Sequence, residues 1–337
     1  MNKYTKLGVS ALCGSLAAVS TANAGDLSVS GGVDMSWISL PKAETGNPIG
    51  IGSNYTLSGS GELDNGWSVA LSIAATNRMA YSTTNVTVTV PSIGDLIVTQ
   101  GGTGKGIDRM DDVTPNVWEE AYGTGLTNGI QTVNGATTGA SIEWTPNMMP
   151  DGLTARIAYS PDVTGAPTAD KGASGSAVNS GSSGYDVTLV ADDSITGMAG
   201  LTIGGGYSEF ERTHVGQGDA SDTTVYATYA IGGFTVGYQW SEADLGTTTG
   251  AQQYDNDGYG ITFAVNDDLS IGYNHYESEQ DNGTAANVTS EATSVQIAYS
   301  MGGASVRLAS SEGDNMAYQT TAAYDRDMTV LSVSLAF

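Results

Sequence analysis

From residue 26 to residue 337 one pattern keeps returning: apolar residues at every second position, with polar residues between. Leu27, Val29, Val33, Met35 and Trp37 alternate with Ser28, Ser30, Asp34 and Ser36. Tyr55, Leu57 and Leu63 continue it, and Trp67, Val69, Leu71 and Ile73 resume it after the turn Asp64-Asn65-Gly66. Successive side chains of a β-strand point to opposite faces, so each run has one oily and one polar face. About sixteen such segments are expected, most of them close to the 9–11 residues a tilted strand needs to cross a bilayer. They lie near 26–37, 53–63, 67–77, 83–91, 95–101, 137–145, 152–160, 184–192, 200–210, 221–231, 234–242, 256–265, 269–278, 290–300, 303–311 and 327–337.

The connections alternate in length. Ser92-Ile93-Gly94, Ile231-Gly232-Gly233, Asn266-Asp267-Asp268 and Met301-Gly302-Gly303 are tight, whereas 38–52, 102–136, 161–183, 211–220, 243–255, 279–289 and 312–326 are long. Transmembrane barrels show this asymmetry, with short periplasmic turns and longer outer loops. An even strand number puts both chain ends on the periplasmic side. A soluble sandwich also alternates, but three features oppose it. The chain is too long for one such module and has no linker to divide it. The polar faces carry Ser, Thr, Gly, Gln and Asp rather than the Lys and Glu of a water-facing surface. Trp37, Tyr55, Trp67, Trp144, Tyr159, Tyr207, Trp240, Tyr273, Tyr299 and Phe337 fall towards segment ends, as in the aromatic girdles at membrane interfaces. The mean hydropathy is −0.12, and no run of about 18 apolar residues follows the first segment, which excludes a helical membrane protein but not a barrel, whose two faces average out.

The first residues read as an export signal. Lys3 and Lys6 precede an apolar run from Leu7 to Val19, which ends in Ala22-Asn23-Ala24. The run is too short to span a bilayer, and small-x-small is a cleavage pattern. Cleavage is expected between Ala24 and Gly25, giving a signal peptide over 1–24 and a barrel over 25–337. Cys13, the only cysteine, would leave with the signal, and Ser10-Ala11-Leu12 before it do not suit lipidation. The mature chain then has no thiol, which fits an oxidising compartment. Losing two of the 11 basic residues and none of the 36 acidic ones leaves a formal charge of −27, so no basic footprint for nucleic acid exists.

The last segment, Thr329 to Phe337, places Leu331, Val333, Leu335 and the terminal Phe337 on one face. It resembles the C-terminal assembly signal of bacterial outer-membrane proteins, an amphipathic edge suited to strand addition on the barrel-assembly machinery. It must then pair with the first strand, because an open edge in hydrocarbon leaves backbone groups unsatisfied.

The longest connection, 102–136, contains Asp108-Arg109-Met110-Asp111-Asp112 and Glu119-Glu120-Ala121. With these motifs the chain resembles the Gram-negative general porins, and the loop is similar to the constriction loop of alphaproteobacterial members. That resemblance covers the mature chain in architecture, and the signal, this loop and the C-terminus in motif. It implies an all-β, closed 16-stranded antiparallel transmembrane β-barrel with an inward-folded third loop. It further implies a homotrimer in the outer membrane, among lipid and lipopolysaccharide, that lets small polar solutes diffuse. On this reading Asp108, Asp111, Asp112, Glu119 and Glu120 are the acidic candidates at the constriction. Parity supplies the basic wall: Leu153, Ala155, Ile157 and Tyr159 face lipid, so Arg156 faces inward, and Arg307 follows from Val306 and Leu308. Arg78 and Arg212 have the inward parity of their strands. An Arg at mid-depth on the lipid face would cost about 2–4 kcal/mol, which makes parity a physical criterion. Lysines are scarce (Lys42, Lys105 and Lys171 in the mature chain), so the basic wall is thin. With so acidic a chain the mouth should favour cations mildly.

Other chemistry is poorly supported. His214 and His275 are the only histidines, and no pair has metal-ligand spacing. Asp255-Asn256-Asp257-Gly258-Tyr259-Gly260 begins like a calcium loop, but Asn266 stands where the bidentate Glu belongs, so the segment reads as a loop entering a strand. Gly204-Gly205-Gly206 lies within an alternating strand with no helix after it, which suits close packing rather than phosphate binding. No cofactor is expected beyond weak divalent-cation collection by acidic loops, and no enzymatic constellation stands out. Alternative readings are a substrate-selective nutrient channel of the same fold and a structural or adhesive barrel.

Overall fold

A computed structural model describes residues 27–39, 46–101, 104–126, 129–137, 139–163, 181–212 and 217–336. Ala24, Gly25, Lys42, Lys171, His214 and Phe337 lie outside these residues. Sixteen strands follow one another: β1 (Ser28–Ile38), β2 (Ile49–Glu62), β3 (Ser68–Thr76), β4 (Ala80–Val90), β5 (Gly94–Gln100), β6 (Ser141–Pro146), β7 (Leu153–Ser160) and β8 (Gly181–Ala191) in the first half. The second half has β9 (Leu201–Arg212), β10 (Ala220–Ile231), β11 (Phe234–Asp244), β12 (Gln253–Ala264), β13 (Leu269–Asp281), β14 (Val288–Met301), β15 (Ala304–Asp314) and β16 (Arg326–Ala336). Each pairs antiparallel with its neighbours in sequence, and β1 pairs with β16, from Gly32 opposite Ala336 to Ile38 opposite Val330. The barrel is closed, and no backbone edge is left for lipid to cover.

Parity sets the two faces. Val187, Leu189, Val225, Ile261, Val295 and Leu331 project outward and are each at least 40% exposed. Their inward neighbours Asp186, Thr188, Thr224, Gln296 and Ser332 are buried, although polar. This inversion of a soluble protein follows from having hydrocarbon outside and loop or water within. The tight turns are made locally: Asn65 Oδ1 accepts from Trp67 N at 3.1 Å, and Asn266 Oδ1 accepts from both Asp268 N and Leu269 N at 2.9 Å. The apolar clusters inside are small and lie where the third loop and the last outer connection meet the wall, around Ala121, Leu126, Met316 and Met328.

Two expectations change. Residues 255–260 are within β12, not in a loop. Arg78 is not on a strand wall. β3 stops at Thr76 after a register shift between Ala74 and Ala75, and Arg78 sits exposed in a one-turn connection with φ 61°. Glycine is absent from this turn, so nothing in the sequence announced a left-handed backbone there. Gly204 does serve close packing: a Cβ there would stand 2.3 Å from Cε1 of Tyr226 on β10.

Candidate pore constriction

The third outer loop leaves β5, enters the barrel and runs along its inner wall from β6 round to β16. Inward-facing polar side chains of seven strands hold it by its backbone. Glu143 on β6 accepts from Gly106 N at 2.7 Å. Asp186 on β8 accepts from Ile107 N at 3.2 Å on the outgoing arm and from Ala136 N at 2.9 Å on the returning arm. Asp222 on β10 accepts from Gly135 N at 2.6 Å. Gln239 on β11 donates to the Met110 carbonyl. Asn274 on β13 accepts from Ala121 N at 2.8 Å, and Gln296 on β14 accepts from Trp118 N at 3.0 Å. Arg326 on β16 donates to the Leu126 carbonyl at 3.2 Å. A long irregular segment can enter a barrel only if its amides and carbonyls are satisfied in this way.

Side-chain packing completes the docking. Ile107 is fully buried and fills the notch left by Gly206, where a Cβ would lie 2.9 Å from Ile107 Cγ1. Gly106 has φ +56°, and a Cβ on it would stand 1.8 Å from Asp186 Oδ2, so only glycine allows this approach.

The predicted charge pattern is partly reversed. Instead of loop carboxylates facing a basic wall, the loop's Arg109 meets the wall's Glu143, with Nη2 2.5 Å from Oε1 and Nε 3.2 Å from Oε2. Glu143 is 1% exposed, and a buried carboxylate needs such a partner. Arg307 does face inward, but it is bound to Asp34 of β1 and packs on the Trp118 ring at 5.1 Å. Arg156 also faces inward, beside Arg109 and Glu143. Arg212 ends β9 near the outer rim with its guanidinium over Phe210. Arg78 belongs to the outer turn.

Of the five acidic candidates, Asp112, Glu119 and Glu120 come together, with one oxygen from each within 4.8 Å of the others. Glu120 is buried and accepts from Asn116 Nδ2 at 2.6 Å. Burial, then the Glu119 side chain and the Asp112 charge, hold its carboxyl far above the usual carboxylate range. Asp111 is pushed up to about 7 by burial and by the charges of Asp112 and Asp108. Asp108 turns back to accept from Gly104 N and is raised mainly by burial. Burial and Arg109 lower Lys105. At neutral pH the loop therefore carries less negative charge than its five carboxylates suggest.

Sequence reasoning missed the residues that do the holding: Glu143, Asp186, Asp222, Gln239, Asn274, Gln296 and Arg326. All seven have inward parity, and a charged or amide side chain at an inward position was the available signal.

The loop covers the wall from β6 to β16, touches the outer end of β1, where Ile38 packs against the cluster around Leu126, and leaves the rest of the β1–β4 wall bare. Above the periplasmic rim, where Glu62 ends β2, Asp34 is the one charged residue at the inward positions of those four strands. The passage therefore runs between the loop and a wall of hydroxyls, amides and glycines. His275 plays no part in it: on the outer face its ring lies 4.9 Å from that of Tyr259, and Nδ1 is 3.0 Å from Thr293 Oγ1.

A family model described as Gram-negative porin matches residues 8–304. No curated protein sequence is significantly similar to the chain. Among solved structures, Salmonella typhi OmpF in complex with daunomycin superposes with a TM-score of 0.66 at 11% identity, covering 93% of this chain and 98% of that one. The trimer form of OmpT from Vibrio cholerae gives 0.65 at 12%, covering 93% and 99%. The anion-selective porin from Comamonas acidovorans gives 0.63 at 13%, covering 93% and 100%. At such identities the likeness shows the fold, and the match along most of the sequence shows the rest: the chain belongs to the Gram-negative porin family and forms an outer-membrane channel.

Proposed function

We propose that the channel passes small hydrophilic solutes and ions by passive diffusion, with a mild preference for cations, and that it catalyses no reaction. The observation that carries the cation preference is the pairing of charges along the passage. Arg307 is compensated by Asp34, and Arg109, with Arg156 beside it, by the buried Glu143, while Asp112 remains exposed beside Glu119 on the loop. An unbalanced carboxylate at a narrow opening concentrates cations. Anion preference is stated for the Comamonas acidovorans relative, so selectivity within this fold depends on such details. The test is a planar bilayer with a potassium chloride gradient. Large ohmic steps and a reversal potential favouring potassium are expected. An anion-selective potential would overturn the cation preference, and silence from correctly folded protein would favour a structural or adhesive barrel.

The same reading includes a homotrimer, as one Vibrio cholerae OmpT structure is a trimer form. It also includes a signal peptide cut between Ala24 and Gly25, assembly through Phe337, and the alphaproteobacterial subgroup. Lipopolysaccharide is the proposed lipid partner. On the outer face Asp257, Glu277, Glu291 and Asp314 stand directly opposite one another on β12 to β15, while Arg156, Arg212, Arg307 and Arg326 all have inward parity. Like charges in register repel, and weakly held divalent cations shared with lipid phosphates would relieve them. The loop's Asp112, Glu119 and Glu120 would collect such cations weakly in the same way.

A further inference from the structure

The bare wall opposite the loop contains a recess of about 440 Å3, within the roughly 300–1,000 Å3 of small-molecule sites. It exists because Gly32 on β1 and Gly52 on β2 put no side chain into the lumen beside Asp34 and Asn54. Its polar groups are the Asp34 carboxylate, the Arg307 guanidinium, the amides of Asn54 and Asn77 and the hydroxyls of Thr76 and Ser334. Arg307 Nε is buried and has no hydrogen-bond partner among the described residues. Asn54 and Thr76 are exposed to the lumen. Trp118, packed on Arg307, puts the tip of the loop at this same depth, so a solute that passes the constriction passes the recess.

The chemistry of these groups selects against ions. Asp34 and Arg307 neutralise each other. An anion that approached Arg307 would meet Asp34, and a cation at Asp34 would meet Arg307. An uncharged solute with closely spaced hydroxyls suffers neither repulsion. Its hydroxyls both donate and accept, matching a carboxylate flanked by guanidinium and amide donors. Further along the same wall a second recess of about 230 Å3 is bordered by Ser58, Ser72, Asn85 and Thr87. There the buried Asn85 Oδ1 has no hydrogen-bond partner among the described residues. The two recesses lie on adjoining strands, and only hydroxyl, amide, alanine and glycine positions separate them.

We infer that the β1–β4 wall is a binding track for neutral polyhydroxylated solutes, namely short oligosaccharides. Its upper station is at Asp34, Asn54 and Arg307, and its lower station is at Asn85. The inference rests on the channel reading and adds its solute class. A sugar at the upper station spans the passage beside Trp118 and interrupts the ion current while bound.

The test uses the full protein in planar bilayers, with maltotriose as the neutral probe and glycine as a zwitterionic one. Millimolar maltotriose should block the potassium chloride current transiently, and glycine should not. Gly52→Asn fills the upper recess without changing charge, and Asn54→Leu removes one amide from an exposed lumenal position. Either should raise the maltotriose concentration for half-block about tenfold, the loss of roughly one or two hydrogen bonds, and leave the conductance nearly unchanged. Ohmic conductance with no maltotriose block overturns the inference and leaves the channel intact. A block by glycine but not maltotriose overturns it too, as does a parallel loss of conductance and block in both variants. Absence of any conductance from folded protein would overturn the channel reading itself.

Discussion

Asp186 gives the sharpest test of how the constriction is held. It is fully buried on β8 and accepts three hydrogen bonds: from Ile107 N at 3.2 Å, Ala136 N at 2.9 Å and Thr137 Oγ1 at 3.2 Å. It thereby ties the first and last turns of the loop to one point. Asp186→Ala leaves three donors without an acceptor, at about 1 kcal/mol each, or about 3 kcal/mol in all. A factor of ten per 1.4 kcal/mol makes the undocked loop roughly 100-fold more populated. Protease cleavage of a docked segment follows that open population when reclosing is fast. Trypsin should therefore cut after Lys105 or Arg109 about 100-fold faster in the variant, and the single-channel conductance should rise. The barrel, held by sixteen strand ladders, should keep its heat-modifiable band in detergent. Cleavage within about threefold of the parent rate, with unchanged conductance, would show that the loop does not depend on this carboxylate.

Further outcomes follow from the same geometry. Asp111, raised to about 7, gains its charge between pH 6 and 8, so the reversal potential should move towards potassium over that range and stay flat in Asp111→Asn. Because the docked loop keeps a proton that a released loop gives up near its ordinary value of 3.8, docking weakens as pH rises from about 4 to about 7 and changes no further above that. Arg109→Ala strands the buried Glu143, and adding Glu143→Gln should recover part of the lost thermal stability in detergent. A double variant no better than the single would deny that the stranded charge is the cause. Gly204→Val drives a side chain into the Tyr226 ring and should cost about 1–3 kcal/mol, partly restored by Tyr226→Ala; an unchanged melting profile would contradict the packing.

The wall was legible in the sequence because its signal is local. A strand facing hydrocarbon on one side and a polar lumen on the other must alternate, and Val187-Thr188-Leu189 states both faces in three residues. The inward aim of Arg156 and Arg307 came from the same rule. What charges do after entering the lumen is not local. Arg109 meets Glu143 across 34 positions and Arg307 meets Asp34 across 273, so parity places each group on the correct face without naming its partner. The acidic residues of the loop were likewise visible, but not the turn that sends Asp108 back to its own backbone. Arg78 was misplaced because a left-handed turn built without glycine leaves no mark in composition.

The ladder between β6 and β7 is the thinnest in the ring. Only three residue pairs join them, from Ile142 opposite Tyr159 to Trp144 opposite Ile157, against twelve between β12 and β13. The outgoing arm of the loop is fastened to Glu143 in the middle of that short ladder. The filter is thus also a strut, bolted to the weakest stave of the cask. Loosening the arm at Glu143 would take a brace from the wall where its own ladder is shortest, so at this one stave the width of the eyelet and the endurance of the cask are coupled.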